Sequence, residues 1–310
     1  MTESMRAAVY DAYAPDNSTL KVGEVPVPRL GTGQVLIKVR AAGVNPIDWK
    51  VLAGYLDSVT MAVFPVIPGW DVAGEVVALG IDTPEFAVGD EVMALVRKDV
   101  EHAGTFAEYV AVSAESVARK PKVLDWAQAG GLPVAGLTAL RVLDRLQIGS
   151  ADTLVVYNAA GGVGGMVVRI ARYRGARVIG TAAERNHDYL RSLGVEPVAY
   201  GEGQHQRILA LASGGVTAVA DLVGDQLATT LAVLAPGGRH VSSADPAVEE
   251  HGGHLLSVRP SGAKLAELGT LAEQGVLTVE VAQTFSLDEV GEALDVSRAG
   301  HTRGKLVILP

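Results

Sequence analysis

The stretch Thr153-Leu-Val-Val-Tyr-Asn-Ala-Ala-Gly-Gly-Val-Gly-Gly165, continued by Met166-Val-Val-Arg-Ile-Ala-Arg-Tyr173, decides the fold. Residues 153–157 have the pattern of a strand buried on both faces, and Val163 to Tyr173 carry an apolar helical pattern. A Gly-rich turn joins them. Strand, Gly-rich turn and helix in that order open a parallel βαβ unit whose helix N-terminus faces an anion. Set against G-x-G-x-x-G, the turn reads Ala159-x-Gly161-x-x-Gly164. Gly161 lets a pyrophosphate approach the backbone, and Gly164 permits close packing of helix on strand. Amide groups at the helix start, Gly162 and Val163 among them, then face the phosphates. The segment predicts a dinucleotide site.

Outward from this stretch the chain divides by rhythm. Before it, RAAVY, QVLIKVRAAGV, AGEVVALG, DEVMALV and AEYVAV are short apolar runs punctuated by Gly and Pro, which predicts a mostly antiparallel β region. From Trp126 the order becomes strand, helix, strand, as a parallel sheet with helices on its faces requires. After about Ser261 the tail reads helix, strand, short helix and closing strand KLVILP, and is expected to fold back onto the first region. The predicted fold class is α/β: a Rossmann parallel-sheet domain over residues 123–259, and a β-rich domain made from residues 1–122 and 260–310. No internal repeat, low-complexity segment or long linker interrupts it.

The strand Arg177 to Thr181 ends 20 residues past Gly161 (181 − 161). An NAD-specific site places a carboxylate there to bind the ribose 2′-hydroxyl. Here the strand runs into Thr181, Ala182 and Ala183, so a 2′-phosphate is not repelled, and Arg185 is placed to pair with it. This favours NADPH. Glu184 is the contrary signal, since turned into the pocket it would bind the hydroxyls and favour NADH; a solvated helix-start role for Arg185 is the plain alternative.

Composition narrows the function. With 310 residues and 48% hydrophobic content the chain can fill two cores. A formal net charge of −9 without a Lys/Arg cluster argues against nucleic acid and anionic membranes as partners. The opening MTESMRAAVYDAY lacks a signal-peptide apolar run, and every later apolar run is broken before bilayer length, so a cytoplasmic protein is expected. Zero cysteines exclude disulfides, a thiolate nucleophile and Cys-ligated zinc. His251 and His254, two glycines apart, and His102 read as polar loop residues.

Six pieces recur in one order: Gly43-Val-Asn-Pro-Ile-Asp48, Pro68-Gly-Trp-Asp-Val-Ala-Gly-Glu75, Val88-Gly-Asp-Glu-Val92, Gly104-Thr-Phe-Ala-Glu-Tyr-Val110, Leu132-Pro-Val-Ala-Gly-Leu-Thr-Ala139 and the Gly-rich turn. Over nearly its whole length the chain resembles the medium-chain dehydrogenase/reductase superfamily, and within it the zinc-free NADPH:quinone oxidoreductase branch. The resemblance implies that the β-rich domain is GroES-like and catalytic, that cofactor and substrate meet in a cleft, and that two subunits pair as a homodimer through a Rossmann edge strand, here His254 to Val258. Zinc-dependent members resemble GxCxxD and GHE in the first two pieces; this chain has Asn45 and Trp70 at those ligand positions, so no metal is expected.

Without a Lewis acid, oxidation of an ordinary alcohol fits poorly, whereas a quinone or an alkene conjugated to a carbonyl accepts hydride readily. Asn45 is the first candidate to position the acceptor or the nicotinamide, with capping of the turn before Pro46 as the alternative. Tyr55 resembles the tyrosine of enoyl reductases in this superfamily, and a phenol can donate a proton or hydrogen bond to an enolate; an amphipathic loop anchor is its alternative. Asp48 is expected to order its loop and Trp70 to wall the substrate pocket. The resemblance further implies cofactor contacts for Thr138, Tyr200 and Lys305, the last also readable as a surface lysine. The predicted function is reduction of a small-molecule quinone or enone by NADPH. Enoyl reduction in polyketide or secondary metabolism is an alternative, and a non-catalytic NADPH-binding structural or sensor protein is the reading from another class.

Overall fold

The structure, a computed structural model, describes residues 3–98 and 100–310. The chain begins with a two-stranded antiparallel pair, β1 (Ser4–Val9) and β2 (Lys21–Pro26). There follow β3 (Gln34–Val44), α1 (Pro46–Leu52), β4 (Met61–Ile67), β5 (Asp71–Leu79), β6 (Glu91–Leu95), β7 (Val100–Ala103), β8 (Tyr109–Ser113) and β9 (Val117–Arg119). Two helices close this part, α2 (Trp126–Gly131) and α3 (Pro133–Arg145). By compactness the chain forms two units, residues 1–137 with 259–310, and residues 138–258; the division falls inside α3.

The second unit is the sheet expected from the Gly-rich stretch. Its elements are β10 (Thr153–Val156), α4 (Gly162–Tyr173), β11 (Arg177–Ala182), α5 (His187–Ser192), β12 (Glu196–Ala199), α6 (Gln204–Leu211), β13 (Val216–Asp221), α7 (Leu227–Val233), β14 (Leu234–Ser242) and β15 (His254–Leu255). All ladders are parallel, in the order β12-β11-β10-β13-β14-β15. That order reverses direction between β10 and β13, which makes the crevice outside their carboxyl ends the ligand-binding position of such a sheet. The strands give Val155, Ile179, Val198 and Val219 to an apolar core that Ile208 of α6 joins. Complete burial of each such side chain is worth about 1.5–3 kcal/mol. The edge strand expected over 254–258 pairs only at His254 and Leu255.

The tail returns to the first unit as α8 (Gly262–Glu273), β16 (Val281–Ser286), α9 (Val290–Ala299) and β17 (Lys305–Leu309). β17 pairs antiparallel with β3, with Leu306 opposite Val44 and Val307 opposite Gly43. A seven-stranded sheet results, ordered β16-β17-β3-β5-β6-β9 with β8 on the other part of β3. The ladders of β3 are antiparallel as expected, while β16–β17 and β4–β7 are parallel. Alternation along β3 sends Val35, Ile37 and Val39 into a core shared with Val72, Val110 and Leu306. Among the described residues no helix is long and apolar enough to cross a membrane.

Candidate functional site

In the second unit the chain leaves β10 at the point where the sheet order reverses. Tyr157 continues the ladder by donating its N–H to Ala220, and the Ala159 N–H reaches the Thr181 carbonyl at 2.9 Å. The Asn158 N–H is received by Thr181 Oγ1 at 3.2 Å, so Thr181, 3% exposed, fixes the turn from the neighbouring strand. Asn158 has a left-handed φ of 57°. Gly161 caps α4 with no side-chain hydrogen bond, and Gly165 makes the first intrahelical bond back to it. The N–H groups of Gly162, Val163 and Gly164 therefore have no partner within the helix, and the dipole adds positive potential at the same place.

Space there exists only because side chains are missing. A Cβ on Gly164 would stand 2.1 Å from the Asn158 carbonyl oxygen, and one on Gly161 would stand 2.7 Å from the Asn158 side-chain nitrogen. Ala159 is fully buried, its methyl filling the place where the next strand has Gly180. A backbone cradle with free amides at a helix start fits a dinucleotide pyrophosphate. At the end of β11, Ala182 is buried and its carbonyl lies 3.3 Å from His187 Nε2; Glu184 and Arg185 follow in an exposed 3-10 turn. Tyr200, just past β12, is 55% exposed, and Thr138 on α3 is buried.

Sequence reading missed the residue that shapes the next two strand ends. Asp221, at the end of β13, accepts N–H groups from Val223 and Gly224 on Oδ1 and the Ser242 hydroxyl on Oδ2. Ser242 in turn accepts from Ala244 and Asp245. One carboxylate thus holds the loops leaving both β13 and β14. Its signal was a lone acid closing the apolar run Val216-Thr-Ala-Val-Ala-Asp221.

In the first unit, strand register assembles a second polar cluster. β17 sets Lys305 beside Asn45, and β5 begins with Asp71 opposite the same end of β3. Lys305 Nζ donates to the Val44 carbonyl at 3.0 Å, to Asn45 Oδ1, and to Asp71 Oδ2 at 3.4 Å. Asn45 Nδ2 donates to Asp71 Oδ2 at 2.9 Å, and the Val134 N–H at the start of α3 donates to Asp71 Oδ1 at 2.6 Å. Gly43 makes room, since a Cβ there would lie 2.6 Å from the Asp71 carboxylate. Asp71 is fully buried, and burial pushes its carboxyl above the ordinary range while Lys305 and Asn45 pull it back.

Both ends of the Asn45 amide are thereby engaged, and Lys305, 5% exposed, is an interior cation. Asn45 also opens α1: its own N–H is received by Asp48 Oδ2 at 2.7 Å. Asp48 has a second oxygen with no hydrogen-bond partner, and burial pushes its carboxyl well above the usual carboxylate range, against the pull of the Asn45 N–H. Tyr55 lies after α1, 64% exposed, its ring edge-on to Trp49 at 6.3 Å. Trp70 is 7% exposed and donates its indole N–H to Glu101, another buried acid that sequence reading passed over. Its signal was an acid within the turn-like run after Leu95. Among the described residues no three His, Cys, Asp or Glu side chains gather to hold a metal. His102 sits on β7 with Nδ1 2.9 Å from the Val63 carbonyl, and His254 packs against Arg145.

Two family models match the chain, the second running from the parallel-sheet unit into the tail of the first. Residues 31–122 match the alcohol dehydrogenase GroES-like domain, and residues 193–308 match the zinc-binding dehydrogenase domain. The chain is 32% identical over 326 residues to the chloroplastic quinone-oxidoreductase QR1 of Triphysaria versicolor, covering 99% of this chain and 98% of that protein. It is 32% identical to the chloroplastic NADPH-dependent alkenal/one oxidoreductase of Arabidopsis thaliana, over 99% of this chain and 80% of the relative. Among solved structures, the quinone oxidoreductase from Coxiella burnetii superposes with a TM-score of 0.88 at 33% identity, covering 99% of each chain.

Proposed function

The chain belongs to the medium-chain dehydrogenase/reductase superfamily, beside its quinone oxidoreductases, and from that premise we propose that it is an NADPH-dependent, metal-independent reductase of quinones or α,β-unsaturated carbonyl compounds. The observation that carries this reading is the side-chain-free cradle at Gly161 and Gly164, with three helix-start amides beside it and no carboxylate at the end of β11. In the proposal, the backbone of Ala159 to Gly164 receives the pyrophosphate, Thr181 and Ala182 floor the adenosine side, and Arg185 and Tyr200 meet the 2′-phosphate. Thr138 lies toward the nicotinamide. NADPH held there supplies hydride for the electron-poor carbon of the acceptor.

The donor set of the first unit does not suit zinc. Asn45 and Trp70 offer neither thiolate nor imidazole, and the Lys305 ammonium already contacts Asn45 and Asp71, where it would repel a second cation. Asn45 and Lys305 act in this reading by fixing the turn into α1, and Trp70 and Asp48 belong to the acceptor side. Tyr55, exposed and carried on the loop after α1, is the group proposed to give a hydrogen bond or proton to the oxygen that gains charge. A cytoplasmic site of action and a homodimer paired through β15 are part of the same proposal.

Two substitutions test the assignments. Arg185→Ala is expected to raise the KM for NADPH about tenfold or more while leaving NADH turnover near its original level, the loss of one charge-assisted contact. An unchanged preference removes Arg185 from the phosphate site. Tyr55→Phe is expected to lower kcat by about 10²-fold with cofactor binding intact; full activity on both acceptor classes removes Tyr55 from the mechanism.

A further inference from the structure

Trp70 and Asp71 are neighbours in sequence, yet extended backbone sends their side chains to opposite sides. Asp71 enters the Lys305 cluster, whereas the Trp70 indole N–H meets Glu101 on β7, at 3.1 Å from each carboxylate oxygen. The Thr60 hydroxyl lies 3.5 Å from the same carboxylate, and the Arg97 guanidinium lies 5.5 Å from the Trp70 ring centroid. The indole is therefore held at its edge by an acid and along its face by a cation. Glu101 is only 7% exposed, and burial pushes its carboxyl above the ordinary range, with the Trp70 hydrogen bond the first of the opposing pulls.

This arrangement costs more than packing requires. An indole N–H needs one acceptor, and a backbone carbonyl or a glutamine would serve without placing an acid in the interior. Directing both oxygens of a buried carboxylate at one N–H instead fixes the ring's angle as well as its place. Beside it, the two-stranded β4–β7 ribbon, in which Ala62 pairs with Glu101, leaves Met61, Val63 and Phe64 substantially exposed. Phe64 packs edge-on against Tyr10 and Tyr13, while Met61 and Val63 keep exposed apolar surface on the same ribbon, and a held aromatic ring near such surface is the composition of a site for planar, apolar ligands.

We propose that Glu101 is a positioning residue that locks the Trp70 ring, and that this lock sets the upper size of acceptor the protein reduces. The size limit rests on the reading of Trp70 as a wall of the acceptor pocket; the lock itself does not. With the ring fixed, a one-ring acceptor is accommodated and a fused two-ring acceptor is held off. Releasing the ring moves the preference toward the larger.

The test uses the full chain with Trp49→Phe and Trp126→Phe, which leaves Trp70 as the sole one of the three tryptophans. Ring mobility is read by time-resolved fluorescence anisotropy. Selectivity is read as the ratio of kcat/KM for 1,4-benzoquinone to that for 1,4-naphthoquinone, with NADPH. Glu101→Leu is expected to add a fast depolarising component and to lower the ratio about tenfold. Glu101→Gln, which keeps an oxygen for the indole, is expected to restore both. Unchanged anisotropy in Glu101→Leu overturns the lock whatever the activity. Added mobility with an unchanged ratio overturns the size limit. In that case Trp70→Ala decides the level of the failure: a shifted ratio leaves Trp70 in the pocket, and an unchanged one removes the pocket reading beneath the proposal.

Discussion

Lys305 has three oxygen acceptors within reach and almost no contact with water, and one of those acceptors belongs to a fully buried aspartate. Removing one partner of such a pair leaves the other charge without compensation in the interior. Lys305→Met is therefore expected to destabilise the protein by about 3–5 kcal/mol, whereas Lys305→Met with Asp71→Asn recovers much of that loss, because the uncompensated charge goes too. Urea denaturation of the two single variants and the double variant measures the coupling; simple additivity would remove the pair as a unit. At this scale the sequence indicated which residues mattered and little of how they meet. Asn45 and Lys305 were singled out by resemblance, but they lie 260 positions apart, and only the β17–β3 register shows that they touch. Asp71 was illegible because an isolated acid at the head of an apolar run gives no periodic signal, and Glu101 because an acid within a polar, turn-like run reads as solvated.

The most legible elements were those whose period and punctuation agree. β10, the Gly-rich turn and α4 occur where the opening stretch puts them, to within a residue at each end. Gly164→Ala tests that local argument. The added Cβ would overlap the Asn158 carbonyl, so the variant is expected to lose about 10-fold or more in NADPH affinity, read by fluorescence titration, with the far-ultraviolet circular dichroism preserved. Wild-type affinity would mean that the cradle has slack the geometry does not show. Less legible were the short edge β15, where two residues pair instead of five, and the turn before α9, whose pattern reads as one helix.

One strand in from the sheet edge, β14 carries His240, 4% exposed, with Nε2 lacking a partner and the ring against Gly253. Burial holds its pKa below the ordinary 6.5, and neighbouring His254 and His251 add to the effect. The unfolded chain then takes up the proton more readily than the folded one. The stability from neutral His240 is complete above 6.5 and is lost as pH falls through the lower folded value. The urea midpoint is expected to drop between about pH 7 and about pH 5, and to drop less in His240→Leu. Equal slopes in the two proteins would show that His240 does not titrate on unfolding.

For the molecule as a whole, alternation of period along the chain was enough to separate a β-rich unit from a parallel-sheet unit. Composition alone could not have placed the tail, which returns to the first unit because β17 completes the β3 ladder. Family membership accounts for the order of the pieces; the direction of electron flow remains a property of the whole protein. The most direct test is oxidation of NADPH by the purified chain with a simple quinone and a simple enone, each repeated with NADH. Acceptor-dependent oxidation without added metal is expected, faster with NADPH than with NADH. Tight NADPH binding without oxidation in the presence of either acceptor would contradict it and leave a cofactor-binding protein that does no chemistry on these acceptors.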